Sequence, residues 1–273
     1  MTRKAAETGP GAMVLVAIEQ GFPKSERILI DPLAGPILPL TSRISVGMSL
    51  PIRNWIVAKA EAKVPGLWGS MMARKRYIDD VVAEAAEGPA EAIVNLGAGF
   101  DTRAFRLPQL QSFPVWEVDQ PANIQCKRRR LRSVMGGVPA HVNLVPVDFD
   151  RDDLATVLAA SGYPRSARTV FIWEGVTQYL TEAGIRTTME YLAAAPANSQ
   201  LVFTYTPKDF IDGEALYGHE YLYRQMRLKD TIWLTGFEPE SIEGFHGEYG
   251  WHVEEHLGYD QLHERYVQPT GRE

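Results

Sequence analysis

Apolar residues in this chain follow two rhythms. Between Ala92 and about Pro207, short continuous apolar runs alternate with stretches in which apolar positions recur every three or four residues. The runs predict buried strands at 92–96, 113–118, 142–147, 168–174 and 200–206, and the stretches between them predict helices over roughly 121–134, 151–160 and 182–195. That alternation is the signature of an α/β sheet. Upstream, residues 1–45 mix glycine and proline with short apolar runs and predict irregular structure with one or two helices. Helical spacing then runs from about 51 to 87 and is broken at Pro65-Gly66. Trp55, Ile56, Val57 and Ala60 precede the break; Met71, Met72, Arg74, Tyr77, Ile78, Val81 and Val82 follow it. Downstream, the pattern predicts a helix near 214–228 and strands near 250–257 and 262–267.

Candidate chemistry clusters where strands end. The run Ala92 to Leu96 stops at Gly97-Ala98-Gly99, a turn in which the backbone can approach a ligand closely. The next strand ends in Asp119, where an acid can accept both hydroxyls of a ribose. Together they point to an adenosine-containing ligand. A dinucleotide fingerprint carries a third glycine, which lets the helix pack beneath a pyrophosphate, but position 102 is Thr. NAD and FAD are therefore disfavoured against a cofactor with no phosphate. Two further acids stand at strand ends on the same edge, Asp148 after Val147 and Glu174 after Trp173. Ligands of open α/β sheets lie outside those ends. Three acids there suit a ribose, an exocyclic amine and a cationic centre, and suit a triphosphate poorly. Singly, each acid is more often a cap or turn residue, and it is their shared register that points to a ligand; Asp148 precedes the N-cap-rich run Asp150-Arg151-Asp152-Asp153.

Composition narrows the classes. The 273 residues suffice for one large domain, or a core with a cap, and the net charge of −6 offers no general attraction to nucleic acid or anionic membrane. No apolar segment approaches the roughly 18–20 residues needed to span a bilayer, and the charged N-terminus is not followed by the apolar core of a signal peptide. The single cysteine, Cys126, excludes an internal disulfide framework and a multi-thiolate metal site. A cytoplasmic protein is expected. His252-Val-Glu-Glu-His256 fits a zinc-protease pattern, but that pattern needs a helix and this stretch reads as an edge strand, so no metal site is predicted. Lys127-Arg-Arg-Arg130 with Arg132 reads as a solvated helix face. Trp55, Trp68, Met71 and Met72 read either as a packed cap or as a lid shaping an apolar pocket.

Six blocks in order carry a resemblance. They are Arg74-Lys-Arg-Tyr-Ile-Asp-Asp80, Val94-Asn-Leu-Gly-Ala-Gly-Phe-Asp-Thr-Arg103, Trp116-Glu-Val-Asp-Gln-Pro121, Val147-Asp-Phe-Asp150, Glu174-Gly-Val-Thr-Gln-Tyr-Leu180 and Arg265-Tyr-Val-Gln-Pro-Thr-Gly-Arg272. The chain resembles the leucine carboxyl methyltransferase family, especially its bacterial branch of class I S-adenosylmethionine-dependent O-methyltransferases. Residues 26–35 also resemble that family's N-terminal Asp-Pro segment. The resemblance implies an α/β, Rossmann-like fold, a seven-stranded, mostly parallel sheet with an antiparallel edge hairpin. The hairpin would be the strands at 250–257 and 262–267, and a helical cap over residues 1–75 would cover a core of residues 76–273. It implies S-adenosyl-L-methionine as cofactor. Arg74 would pair with its carboxylate, and Gly97, Ala98 and Gly99 would line its methionine and ribose portions. Asp119 and Gln120 would hold the ribose, Asp148 and Phe149 would face the adenine, and Glu174 would lie near the amino group and the transfer site. Tyr179 would lie near the acceptor.

Methyl transfer from a sulfonium is one in-line displacement, so the protein has to align acceptor, methyl and sulfur and exclude water. A carboxylate acceptor is already ionised at pH 7, whereas a phenol, with a pKa near 10, benefits from a base. Glu174 is the one plausible base, and Tyr179 or Tyr205 could orient the acceptor, although a lone tyrosine is more often core packing. The expected function is O-methylation of a small molecule or peptide, at a carboxylate. Methylation of a phenol or hydroxyl in secondary metabolism, a non-catalytic S-adenosylmethionine-binding protein, and an NAD-linked oxidoreductase are the alternatives.

Overall fold

The computed structural model describes residues 9–39, 50–149 and 151–272. Among them the helices used below are α1 (Gly9–Glu19), α2 (Leu50–Lys63), α3 (Leu67–Glu87), α4 (Pro121–Met135), α5 (Leu154–Ala160) and α6 (Glu182–Leu192). The strands are β1 (Ala92–Leu96), β2 (Val115–Asp119), β3 (Val142–Pro146), β4 (Thr169–Trp173) and β5 (Gln200–Phe203). All pair in parallel in the order β3-β2-β1-β4-β5. The break expected at Pro65-Gly66 falls between α2 and α3. Gly66 takes a left-handed φ of 72° there, and the Glu61 carboxylate accepts from the Gly66 and Trp68 N–H groups at 2.7 and 2.9 Å, satisfying part of the first turn of α3.

Every residue of β1, β2 and β4 is buried, as inner strands covered on both faces require. Alternate side chains feed two cores. Ile93, Val115, Val170 and Ile172 pack with Met72, Ile78 and Val82 of α3 and Ile124 and Leu131 of α4. Val94, Val118, Phe171 and Trp173 pack with Leu158 of α5 and Ile185, Met189 and Leu192 of α6. The face toward α3 and α4 has a polar interruption just below the strand ends. Asn95 and Glu117, partners in the β1–β2 register, are both buried.

The chain runs β1, β2, β3 toward one edge and then crosses to β4 and β5 on the other. The switch point therefore lies at the carboxyl ends of β1 and β4, where such sheets bind ligands.

Two expectations fail. The sheet has five strands among the described residues rather than seven, and the C-terminal hairpin is absent. Residues 251–258 carry no strand, Tyr259–Leu262 is a helical turn and His263–Val267 is a π-type turn. Trp251 and Val253 pack in the core with α5 and α6, while the end of the segment docks on α3 instead of pairing at a sheet edge: Val267 meets the face of Gly69, and the Arg265 guanidinium lies 5.6 Å from the Tyr77 ring. The expected helix at 214–228 is likewise shorter, consisting of Glu220–Tyr223 continued by a π-type stretch, Arg224–Lys229.

Candidate functional site

The glycine turn follows β1 directly. Gly97 and Gly99 adopt φ of 73° and 47°, which glycine alone accepts without penalty. The Gly97 and Ala98 N–H groups both donate to the Val118 carbonyl, folding the turn over the end of β2. A Cβ on Gly97 would stand 2.3 Å from Val176 Cγ2, whereas one on Gly99 would meet nothing nearer than Asp119 Oδ2 at 3.9 Å. Gly97 thus seals the turn against the loop after β4, and Gly99 leaves an open approach beside Asp119.

Asp119 is 4% exposed. Its Oδ2 accepts from Gly99 N–H at 2.5 Å, and its Oδ1 from Gln120 N–H at 2.6 Å and Asn123 Nδ2 at 2.8 Å. Burial pushes its pKa up, and these hydrogen bonds partly counter it. A carboxylate offers about four acceptor sites, so capacity remains for a ligand hydroxyl.

Asp148 begins a turn in which its own N–H donates to Asp152 Oδ2 at 2.8 Å, and Asp153 caps α5 by accepting from Thr156 N–H at 2.8 Å. Phe149 packs against the core on the α5 side.

The strongest electrostatic feature lies at the end of β4. The Glu174 side chain is 7% exposed; Arg74 Nη2 and Lys75 Nζ approach its Oε1 at 2.9 and 3.2 Å, and Arg103 Nη1 approaches its Oε2 at 2.9 Å. Burial alone would raise its pKa, but Lys75, Arg103 and Arg74 hold it well below the usual carboxylate range. Arg103 also binds Asp79 and Asp101. Asp79 in turn receives Arg106, and Arg106 approaches Asp31, which accepts from the Thr102 hydroxyl at 2.5 Å. Thr102, which argued against a dinucleotide, thus fastens the N-terminal Asp-Pro segment to the glycine turn. Beneath the turn, Lys127 Nζ lies 2.7 Å from Glu117 Oε2, both side chains being almost wholly buried. The expectation of a solvated Lys127 is corrected: it sits on the inward face of α4, between Ile124 and Leu131.

Sequence reasoning assigned no role to Lys75, Asp79, Asp101, Arg103 or Asn123. All but Asn123 lie inside the quoted blocks, and the available signal was charge placed on faces that the apolar pattern buries.

The three acids at strand ends share one edge of the sheet, and Arg74 reaches Glu174 from α3. Tyr179 ends a tight turn, Thr177–Tyr179, with its ring edge-on to Trp233 at 6.3 Å. Tyr205 lies two residues past the carboxyl end of β5. It stacks on Phe203 within the aromatic cluster on the α5–α6 side, and its hydroxyl bonds His256 Nε2 at 2.9 Å. His252 pairs with Glu254 instead, so the two histidines do not converge.

The parallel sheet with its switch point at β1 and β4 has the fold of class I methyltransferases. A solved structure of a provisionally named methyltransferase from Thermobifida fusca superposes with a TM-score of 0.54 at 19% identity, covering 78% of this chain and 83% of that one. A DUF574-family protein from Streptomyces avermitilis superposes with a TM-score of 0.50 at 16% identity, covering 74% and 79%. The sequence profile of the leucine carboxyl methyltransferase family matches residues 11–193, and the chain belongs to that family. Similar curated proteins carry provisional names as S-adenosyl-L-methionine-dependent methyltransferases. One from Mycolicibacterium paratuberculosis is 33% identical over 176 residues, 61% of this chain and 54% of that protein. Another, from Bacillus subtilis, is 28% identical over 196 residues, 71% and 64%. The matched part of this chain thus spans between about half and two thirds of those relatives' length.

Proposed function

We propose that the chain is an S-adenosylmethionine-dependent O-methyltransferase that acts on a small molecule or peptide, at a carboxylate. The observation that carries the reading is the Arg74–Glu174 pair at the switch point. A cation and an anion at 2.9 Å, one of them 30% exposed, match the carboxylate and ammonium of a zwitterionic amino-acid moiety. Insertion of that moiety exchanges one ion pair for two of the same sense, so no charge is left buried and unmatched. Gly99 offers the open backbone beside Asp119, and the remaining acceptor capacity of Asp119 suits a ribose. Gln120, after β2, would line the ribose beside Asp119, and Asp148 and Phe149, on the loop after β3, would border the adenine. The residues therefore fit the group, which when bound supplies an electrophilic methyl on a sulfonium.

A carboxylate acceptor is favoured over a phenol by the state of Glu174. Three cations hold it ionised and occupied, which makes it a poor proton acceptor, and a carboxylate needs none. Tyr179, at the end of the turn after Glu174, is the orienting residue we assign to the acceptor side. Tyr205, stacked on Phe203 and bonded to His256, is assigned a packing role instead. We assign residues 1–75 the role of a cap, with α3 running through the boundary into the core. The net charge of −6 supports a small-molecule or peptide acceptor over nucleic acid, and the single cysteine supports a cytoplasmic setting. No helix among the described residues is long and apolar enough to cross a membrane.

The test compares S-adenosylhomocysteine with 5′-methylthioadenosine, which lacks both the carboxylate and the ammonium. Two charge-assisted contacts at about 1.5 kcal/mol each predict roughly 100-fold weaker binding of the latter. Equal affinities would remove the assignment of the Arg74–Glu174 pair. For the acceptor, labelled methyl transferred to a carboxylate is released as methanol in alkali, whereas an ether methyl is not.

A further inference from the structure

Arg103 is the most constrained charge near the site, and the reading above gives it no part in binding. Its side chain is 3% exposed. Nη1 donates to Glu174 Oε2 at 2.9 Å and to Asp101, Nε donates to Asp79 Oδ1 at 2.7 Å, and Nη2 donates to the Lys75 carbonyl at 3.1 Å. One planar guanidinium thus ties the turn after β1, helix α3 and the end of β4 together. Its own anchors are fixed in turn: Asp79 accepts from Arg106 Nη2 at 2.7 Å, and Asp101 accepts from Asn95 Nδ2 at 3.2 Å and from Arg103 N–H at 2.7 Å. A rigid fork with four of its donors engaged has no freedom to follow a ligand. Arg74, at 30% exposure, is the exchangeable partner of Glu174.

We propose that Arg103 is a positioning residue: it holds the Glu174 carboxylate ionised and correctly oriented to receive the cofactor's ammonium once Arg74 turns to the cofactor's carboxylate. The inference rests on the reading of Glu174 given above. The groups facing Glu174 are Arg74 and Lys75 from α3, with Arg103 and the repelling Asp101 from the turn after β1. When Arg74 leaves, Lys75 and Arg103 alone oppose protonation. Without Arg103, Asp101 keeps only Lys75, Lys127 and the Asn95 amide and repels Glu174 more strongly, and protonation moves toward neutral pH.

S-Adenosylhomocysteine is titrated calorimetrically from pH 8 to pH 5.5 against the wild-type chain, Arg103→Gln, Arg103→Lys and Glu174→Gln, with circular dichroism confirming the fold. The wild-type affinity is expected to be flat across this range. Arg103→Gln is expected to bind about tenfold more weakly at pH 8, because Glu174 is no longer held in place for the ammonium, and to lose roughly another tenfold by pH 5.5 as Glu174 protonates. Arg103→Lys, which keeps the charge, is expected to restore the flat profile. A folded Arg103→Gln with the wild-type profile overturns the proposal, as does a wild-type affinity that itself collapses on acidification. If Arg103→Gln does not fold, Asp79→Asn loosens the far side of the guanidinium without touching Glu174, and the same pH dependence is expected in weaker form; a flat profile there overturns the proposal. Arg168→Gln, at the opposite end of β4, controls for loss of a surface cation. Glu174→Gln binding as tightly as wild type removes the underlying reading itself, a result distinct from failure of Arg103 alone.

Discussion

Asp119 concentrates several demands in one carboxylate. It satisfies the N–H groups of Gly99 and Gln120 and the Asn123 amide, and in the proposed function it also receives the ribose. Asp119→Ala is expected to weaken S-adenosylhomocysteine binding by about 1–3 kcal/mol and to lower thermal stability as well, because it strands three donors. Calorimetry and thermal unfolding of the same variant separate the two effects. Unchanged affinity would contradict the ribose role. This residue was legible in the sequence because a strand-end acid after a glycine turn has few uses. Arg103 was not, because the sequence hints only that its charge falls where the apolar pattern buries, and nothing in it names the four partners. Tyr205 was readable only as an aromatic near a strand end. Its stacking on Phe203, two residues back, is local, but its bond to His256, 51 residues on, leaves no trace in the sequence.

Among the elements, the polar interruption between β2 and α4 makes a separate claim. Burial pushes the Glu117 carboxyl up to about 7, and Lys127 offsets it only partly. The folded chain therefore favours the protonated acid between the ordinary value of 4.5 and about 7, so this group's contribution to stability falls as pH rises through that window. Glu117→Leu with Lys127→Met is expected to be neutral or stabilising by about 1–4 kcal/mol near pH 7.5, whereas Glu117→Leu alone strands the lysine and is expected to cost about 3–5 kcal/mol. Urea unfolding at several pH values checks both the sign and the window. The β strands were legible because runs buried on both faces leave little ambiguity. The C-terminal hairpin was misread because apolar residues scattered over 251–267 suggest edge strands, whereas they serve two separate packings, Trp251 and Val253 in the core with α5 and α6 and Leu262, Tyr266 and Val267 in the core with α3.

For the molecule as a whole, ends distant in sequence are joined around α3. Arg272 Nη1 reaches both oxygens of the fully buried Glu19 at 2.9 and 2.8 Å, beside Trp68 Nε1 at 2.8 Å, and its guanidinium lies 4.4 Å from the Phe22 ring. Arg272→Ala leaves that carboxylate with neutral donors alone and is expected to cost roughly 3 kcal/mol, read by thermal or urea unfolding. An unchanged midpoint would mean that Glu19 is held by Trp68 and Ile28 without it. The sequence offered the Gly-Arg ending as a family-like block but no hint of its partner, since a contact across most of the chain leaves no local pattern.

The measurement that tests the central claim most directly is a calorimetric titration of the purified chain with S-adenosylmethionine, with NAD in parallel. The account predicts one-to-one micromolar binding of the first and none of the second. A folded chain that binds neither, or binds NAD alone, contradicts it.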